Sequence, residues 1–118
     1  AEWGEEKGEV LTLNAHYHEE ICPSREGGLE EILRIRRKRR EREADLPVRY
    51  ITYNAYDEGG CTCEKCALWG VNGYLRIFPH FCDLVREFFP DAEFIVSTWG
   101  FDRFCRGEWD AFYPHLTD

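Results

Sequence analysis

The chain has no methionine among its 118 residues, only five prolines, and no apolar run near the roughly 18 residues that a membrane-crossing helix requires. No segment therefore reads as a helical membrane span. The opening residues, Ala1-Glu2-Trp3-Gly4-Glu5-Glu6-Lys7, are acidic where an export signal is basic and then apolar, so no signal peptide is read there. A chain that begins without an initiator methionine is compatible with a processed product or a piece of something longer, and its compartment is left undecided. Phosphate-cradling glycine loops, a nucleophile elbow with Ser, His and Asp, and dinucleotide fingerprints are also missing, which argues against a nucleotide enzyme. Positive charge is scarce as well, with 15 Lys and Arg against 23 Asp and Glu for a net −8.

What positive charge there is lies in one place. Arg34, Arg36, Arg37, Lys38, Arg39, Arg40 and Arg42 against Glu41 give +6 over 34–42, which leaves −14 for the rest of a chain whose total is −8. Glu30, Glu31, Glu41 and Glu43 stand at i,i+4 distances from these cations, so the block reads as a solvated helix face. Docking on an acidic patch of a second copy is the next reading, and a homo-oligomer would follow from it. Nucleic acid is disfavoured as a partner, because the remaining charge repels a polyanion.

A core is affordable: 43% of residues are hydrophobic and 15% aromatic, enough for one small domain. We read 1–9 as an acidic tail and 10–118 as a single domain. Leu11-Thr12-Leu13-Asn14-Ala15 is echoed by Ile51-Thr52-Tyr53-Asn54-Ala55 at an offset of 40 residues, the length of one strand-plus-helix unit. A helix is predicted from Leu29 to about Ala44, stopped by Leu46-Pro47; its apolar residues cover only the first half, so the basic half should protrude or fray. A strand from Val48 to about Asn54 follows. The next helix carries Val71, Leu75, Phe78, Cys82, Val85 and Phe89 at spacings of four and three, with Pro79 expected to kink or break it. A third strand, Phe94 to Trp99, and a short helix, Glu108 to His115, complete the order β-α-β-α-β-α.

That order implies right-handed crossovers and a parallel sheet, hence an α/β fold of three βα repeats. It is either a small open sheet or a sector of a (β/α)8 barrel, which normally needs about 250 residues. Loops that follow parallel strands share one edge. This gathers His16, Tyr17, His18 and Cys22 from the first unit, Asp57, Glu58, Cys61, Cys63 and Cys66 from the second, and Trp99, Asp102 and Cys105 from the third.

The densest of these loops, Tyr53 to Cys66, holds three thiols in Cys61-x-Cys63-x-x-Cys66, closer together than separate disulfides favour. The spacing suits a shared metal, with zinc the first candidate and a pinned loop its purpose. A fourth ligand is missing locally; Cys22 is the first choice, with Cys105, His16 and His18 behind it. A disulfide among these cysteines and free thiols are the competing readings, and Cys82 reads as a small core residue. Asp57 and Glu58 are adjacent, so a bent loop is needed to aim both at one substrate; Asp102 is a further acid. The plain alternative is that Asp57 turns the loop and Glu58 is solvated. His16 and His18 flank Tyr17 and are placed to meet a metal or a substrate hydroxyl, or simply to pack.

Three stretches, "ICPSREGGLEEILRI", "YNAYDEGGCTCEKCALWG" and "FPDAEFIVSTWGFD", resemble consecutive strand ends of bacterial glycosidase-like TIM-barrel proteins, relatives of the β-hexosaminidase and α-glucuronidase group. The likeness runs over about residues 10 to 110 and is most specific at Asp57-x-Gly59-Gly60-Cys61-x-Cys63-x-x-Cys66. It implies a carbohydrate partner and a sugar-facing cleft on the carboxyl-end face. Asp57, Glu58 and Asp102 are then the catalytic candidates, and Trp99, His16, His18 and Tyr56 the sugar contacts. A whole barrel has eight such units, so three supply only part of a cleft wall. Beside this glycoside hydrolase-like reading stand two others, a non-catalytic assembly protein and a small zinc-binding module.

Overall fold

The structure is a computed structural model that describes residues 21–56, 61, 63–103 and 105–116. In chain order it contains α1 (Gly28–Glu43), β1 (Tyr50–Asn54), α2 (Trp69–Asn72), α3 (Tyr74–Phe88), β2 (Glu93–Ser97), α4 (Glu108–Phe112) and a 3-10 turn over Tyr113–Leu116. The strand expected at 11–15 lies outside the described residues, as does the first half of the internal echo.

β1 and β2 pair in parallel, in register from Tyr50 opposite Glu93 to Asn54 opposite Ser97. Because parallel neighbours cannot be joined by a tight turn, α2 and α3 make the crossover. The described residues thus form a mixed α/β fold with a two-stranded parallel sheet. Alternation sends Ile51, Tyr53 and Phe94 toward the helices. The opposite face leaves Tyr50 and Ile95 more than half exposed.

Aromatic packing holds helix to sheet. Tyr53 stacks on Tyr74 at 4.5 Å and on Phe81 at 4.9 Å, while Phe94 meets Phe78 and Phe81 edge-on. Each such ring contributes about 1.5–3 kcal/mol through burial. Their polar tips are satisfied where the strands end: the Tyr53 hydroxyl donates to the Tyr74 carbonyl at 3.0 Å, and the Tyr74 hydroxyl donates to the Ser97 carbonyl at 2.9 Å. The helix α3 is therefore hydrogen-bonded to the carboxyl ends of both strands.

Two expectations change. The basic half of α1 neither protrudes nor frays: the helix runs to Glu43, and Arg40 is 5% exposed. Arginine stems are apolar and their flat heads stack on rings. Here the Arg36 and Arg40 guanidinium groups lie 5.5 and 5.8 Å from the Phe81 ring centre, and Arg37 pairs with Glu87 of α3 at 2.5 Å. The arginines thus supply the packing face that the sequence withholds from aliphatic residues.

The second change concerns the helix after β1. It divides at Gly73, and Pro79 sits exposed within an unbroken α3. The most buried positions are Tyr74, Ile77, Phe81, Cys82, Leu84 and Val85 rather than the expected stripe, which shares only Cys82 and Val85 with them along α3. Splitting the helix frees α3 to rotate so that its aromatic residues face both α1 and the sheet.

Candidate metal centre

Cys22, Cys61, Cys63 and Cys66 converge at the carboxyl edge of the sheet, with all four sulfurs within 4.8 Å of one another. Cys22 comes from the turn that leads into α1. That turn is closed by Arg25 N–H donating to the Cys22 carbonyl at 3.2 Å and Gly28 N–H to the Arg25 carbonyl at 2.8 Å. Gly27 takes a positive φ of 74°, and a Cβ on Gly28 would strike the Cys22 carbonyl oxygen. The glycine pair is what lets Cys22 swing in beside the helix start.

The other three thiols follow β1. Cys63 and Cys66 are joined by a tight turn in which the N–H groups of Cys66 and Ala67 both donate to the Cys63 carbonyl, at 3.0 and 2.8 Å. Cys22 Sγ lies 3.8 Å from Cys63 Sγ and 3.7 Å from Cys66 Sγ, across 41 and 44 residues of sequence. A disulfide needs about 2.05 Å. Four sulfurs each about 2.3 Å from a central zinc sit about 3.8 Å apart along a tetrahedron's edges. The observed spacing matches the second geometry, and among the described residues no disulfide forms. Thiols are soft donors that suit zinc or iron, and four protein ligands leave no open position for a substrate.

Two residues that sequence reading passed over support the cluster. Ser24 Oγ lies 3.2 Å from Cys66 Sγ, and Arg76, in the first turn of α3, donates to Ser24 Oγ at 2.6 Å and to Cys66 Sγ at 3.5 Å. The Ser24 hydroxyl beside this fully buried sulfur favours its thiolate, although burial outweighs that effect. Nothing in the sequence marks Arg76, which is ten positions beyond Cys66 and looks like any exposed helix arginine.

The thiols differ in acidity. Burial pushes Cys61 up to about 12 and raises Cys66 as well. Burial also pushes Cys63 up, but the N–H groups of Cys66 and Lys65 and the neighbouring thiols together outweigh it and hold Cys63 down at about 7. Cys105, the other thiol proposed as a fourth ligand, is buried outside the cluster, and burial raises it to about 11. Cys82 is a core residue of α3.

Of the remaining predicted site residues, Trp99, Asp102 and Tyr56 are among the described residues. Asp57, Glu58, His16 and His18 lie outside the described residues. Trp99 stands at the carboxyl end of β2, 57% exposed, with the Arg103 guanidinium 6.0 Å from its ring centre. The Asp102 carboxylate accepts the N–H groups of Gly107 and Trp109, the latter at 2.8 Å, and so satisfies the start of α4. Tyr56 is 2% exposed, and its hydroxyl donates to Glu108 Oε2 at 2.5 Å. Asp102 and Tyr56 are therefore engaged within the fold rather than presented to a ligand.

Glu108, unremarked in the sequence, has no solvent exposure; its Oε2 also accepts the Gly70 N–H at 2.5 Å, while Oε1 is buried without a hydrogen-bond partner. Burial raises its carboxyl to about 7, against the Tyr56 and backbone donors that favour the ionised form. A cavity of about 470 Å³ lies between α1 and β1, lined by Ile32, Ile35, Arg36, Arg40, Tyr53 and Phe81 among others. It contains no thiol and is separate from the cluster. Comparison of the chain with protein-family models, with curated proteins and with solved structures found no match.

Proposed function

We propose that this is a small α/β module whose strand-end loops are locked by a structural tetrathiolate zinc centre, with Cys22, Cys61, Cys63 and Cys66 as ligands. The supporting observation is the 3.7–3.8 Å spacing of Cys22 to Cys63 and Cys66, which equals the edge of a zinc–sulfur tetrahedron. Bound there, zinc would neutralise thiolates that otherwise repel one another and would tie the lead of α1 to the loop after β1. Metal analysis of freshly purified, reduced protein should find one zinc per chain. Cobalt substitution should give thiolate-to-metal charge-transfer absorption that is lost in Cys66→Ser. Protein with neither zinc nor iron, and no cobalt spectrum, would overturn the reading.

A second reading concerns what the locked edge presents. Trp99 offers an exposed indole face at the carboxyl end of β2, the kind of platform on which a sugar ring stacks. This favours the carbohydrate-active reading, in which Asp57 and Glu58, just ahead of Cys61, supply the acids. Trp99→Ala should then lower affinity for oligosaccharides at least tenfold in calorimetric titration, corresponding to about 1.4 kcal/mol. Equal binding by parent and variant would dismiss it. The three-repeat architecture expected from the sequence belongs with this reading, its first strand, at Leu11–Ala15, lying outside the described residues.

A further inference from the structure

The four sulfurs of the cluster are not equivalent. Cys66 has no exposure and Cys61 only 6%, and Cys66 Sγ is further engaged by Ser24 and Arg76. Cys63 is exposed and Cys22 is half-buried. The two outward sulfurs face each other at 3.8 Å although 41 residues separate them. An exposed zinc-bound thiolate retains nucleophilicity, whereas burial excludes a reagent, and hydrogen bonds to sulfur withdraw the electron density that attack requires.

We infer that Cys63 and Cys22 form the oxidisable face of the centre, a site at which hydroperoxides convert zinc ligation into a Cys22–Cys63 disulfide. The inference rests on the tetrathiolate reading above. In the first step the Cys63 thiolate attacks one peroxide oxygen, the O–O bond breaks, and Cys63 becomes a sulfenic acid as hydroxide leaves. In the second, the Cys22 thiolate attacks that sulfur, the S–S bond forms, and a second hydroxide leaves. Two thiolates are oxidised by two electrons, one hydrogen peroxide is reduced, and two protons from solvent complete two waters. Zinc keeps its oxidation state but loses two of its four ligands, and is released.

Exposure rather than distance makes the product specific, because Cys22 Sγ is 3.7 Å from Cys66 Sγ too, but Cys66 is fully buried and hydrogen-bonded by Ser24 and Arg76. The sulfurs need to close from 3.8 Å to about 2.05 Å, a movement within reach of the turn carrying Cys22 and the turn carrying Cys63. The link between the lead of α1 and the loop after β1 is therefore kept, now covalent. Cys61 and Cys66 are left as a buried pair too few to retain the metal.

The test uses the full chain loaded with zinc, its metal content measured before oxidation. Hydrogen peroxide is added in the presence of a chromogenic zinc chelator, and unreduced digests are mapped by mass spectrometry. One zinc released per Cys22–Cys63 bridge, reversed by thiol reductant and fresh zinc, is the expected result. Cys82→Ser, which alters a core thiol outside the cluster, should respond as the parent does. Retention of zinc under excess peroxide, or a first disulfide joining any other pair, overturns the inference while leaving the zinc reading intact. A chain that holds no zinc at the outset overturns both.

Discussion

Glu108 shows how a single side chain can link segments far apart in sequence. It ties the end of β1 through Tyr56 to α2 through Gly70, and it does so from a position with no exposure. A carboxylate here would be a buried charge with an unpartnered oxygen, so the folded protein holds the proton up to about pH 7, while an ordinary glutamate releases it near 4.5. The folded pKa is the raised one. The stabilisation is therefore complete below about pH 4.5 and lost as pH rises through about 7. Glu108→Gln imitates the protonated carboxyl and does not titrate. Between pH 5 and pH 8 the parent should lose up to about 3 kcal/mol of unfolding free energy relative to this variant, measured by urea denaturation. Parallel pH profiles would refute the assignment. No local pattern announces Glu108, since an acid in a first helical turn ordinarily reads as a solvated complement to the helix dipole.

Among the elements, the long helices and both described strands were legible, because hydrophobic periodicity and the Pro47 and Pro90 stops act locally. Where α2 and α3 divide was not. Proline was the expected breaker, yet the division falls at Gly73, where a close approach rather than a backbone preference governs. A Cβ on Gly73 would meet the Trp69 ring, itself 4% exposed and anchored by its indole N–H to the Ala55 carbonyl at 2.5 Å. Gly73→Ala should therefore destabilise by about 1–3 kcal/mol, read as a lower denaturation midpoint, despite alanine's better helix propensity. Unchanged or higher stability would show that the indole yields freely. The arginine half of α1 makes the same point: charge count predicted exposure, but rings on α3 and β1 turned Arg36 and Arg40 into packing residues.

Across the whole molecule, the cluster joins the residues before α1, the loop after β1 and, through Arg76, the start of α3. Such a tie stabilises only the folded chain, so zinc at one hundred times its dissociation constant should add about 2.7 kcal/mol. For a domain of this size that is about 10 °C in melting temperature. Chelation should lower the midpoint by that amount and zinc restore it; a midpoint indifferent to chelator would count against a structural role. The uncovered sheet face around Tyr50 and Ile95 belongs to this scale as well, because parallel sheets ordinarily bury both faces.

By itself the sequence determined the alternation of helix and strand and the close spacing of Cys61, Cys63 and Cys66, because both are written in residues near one another along the chain. Cys22 as the fourth ligand was only the first choice among four. Parallel pairing and the Gly28 turn bring Cys22, and not Cys105, beside the other three thiols, 3.8 Å from Cys63 and 3.7 Å from Cys66. The hydrogen bonds of Ser24 and Arg76, the buried Glu108 and the internal engagement of Tyr56 and Asp102 were decided by tertiary structure alone. Each depends on which distant groups share a small, water-poor space, and packing sets that where local pattern cannot.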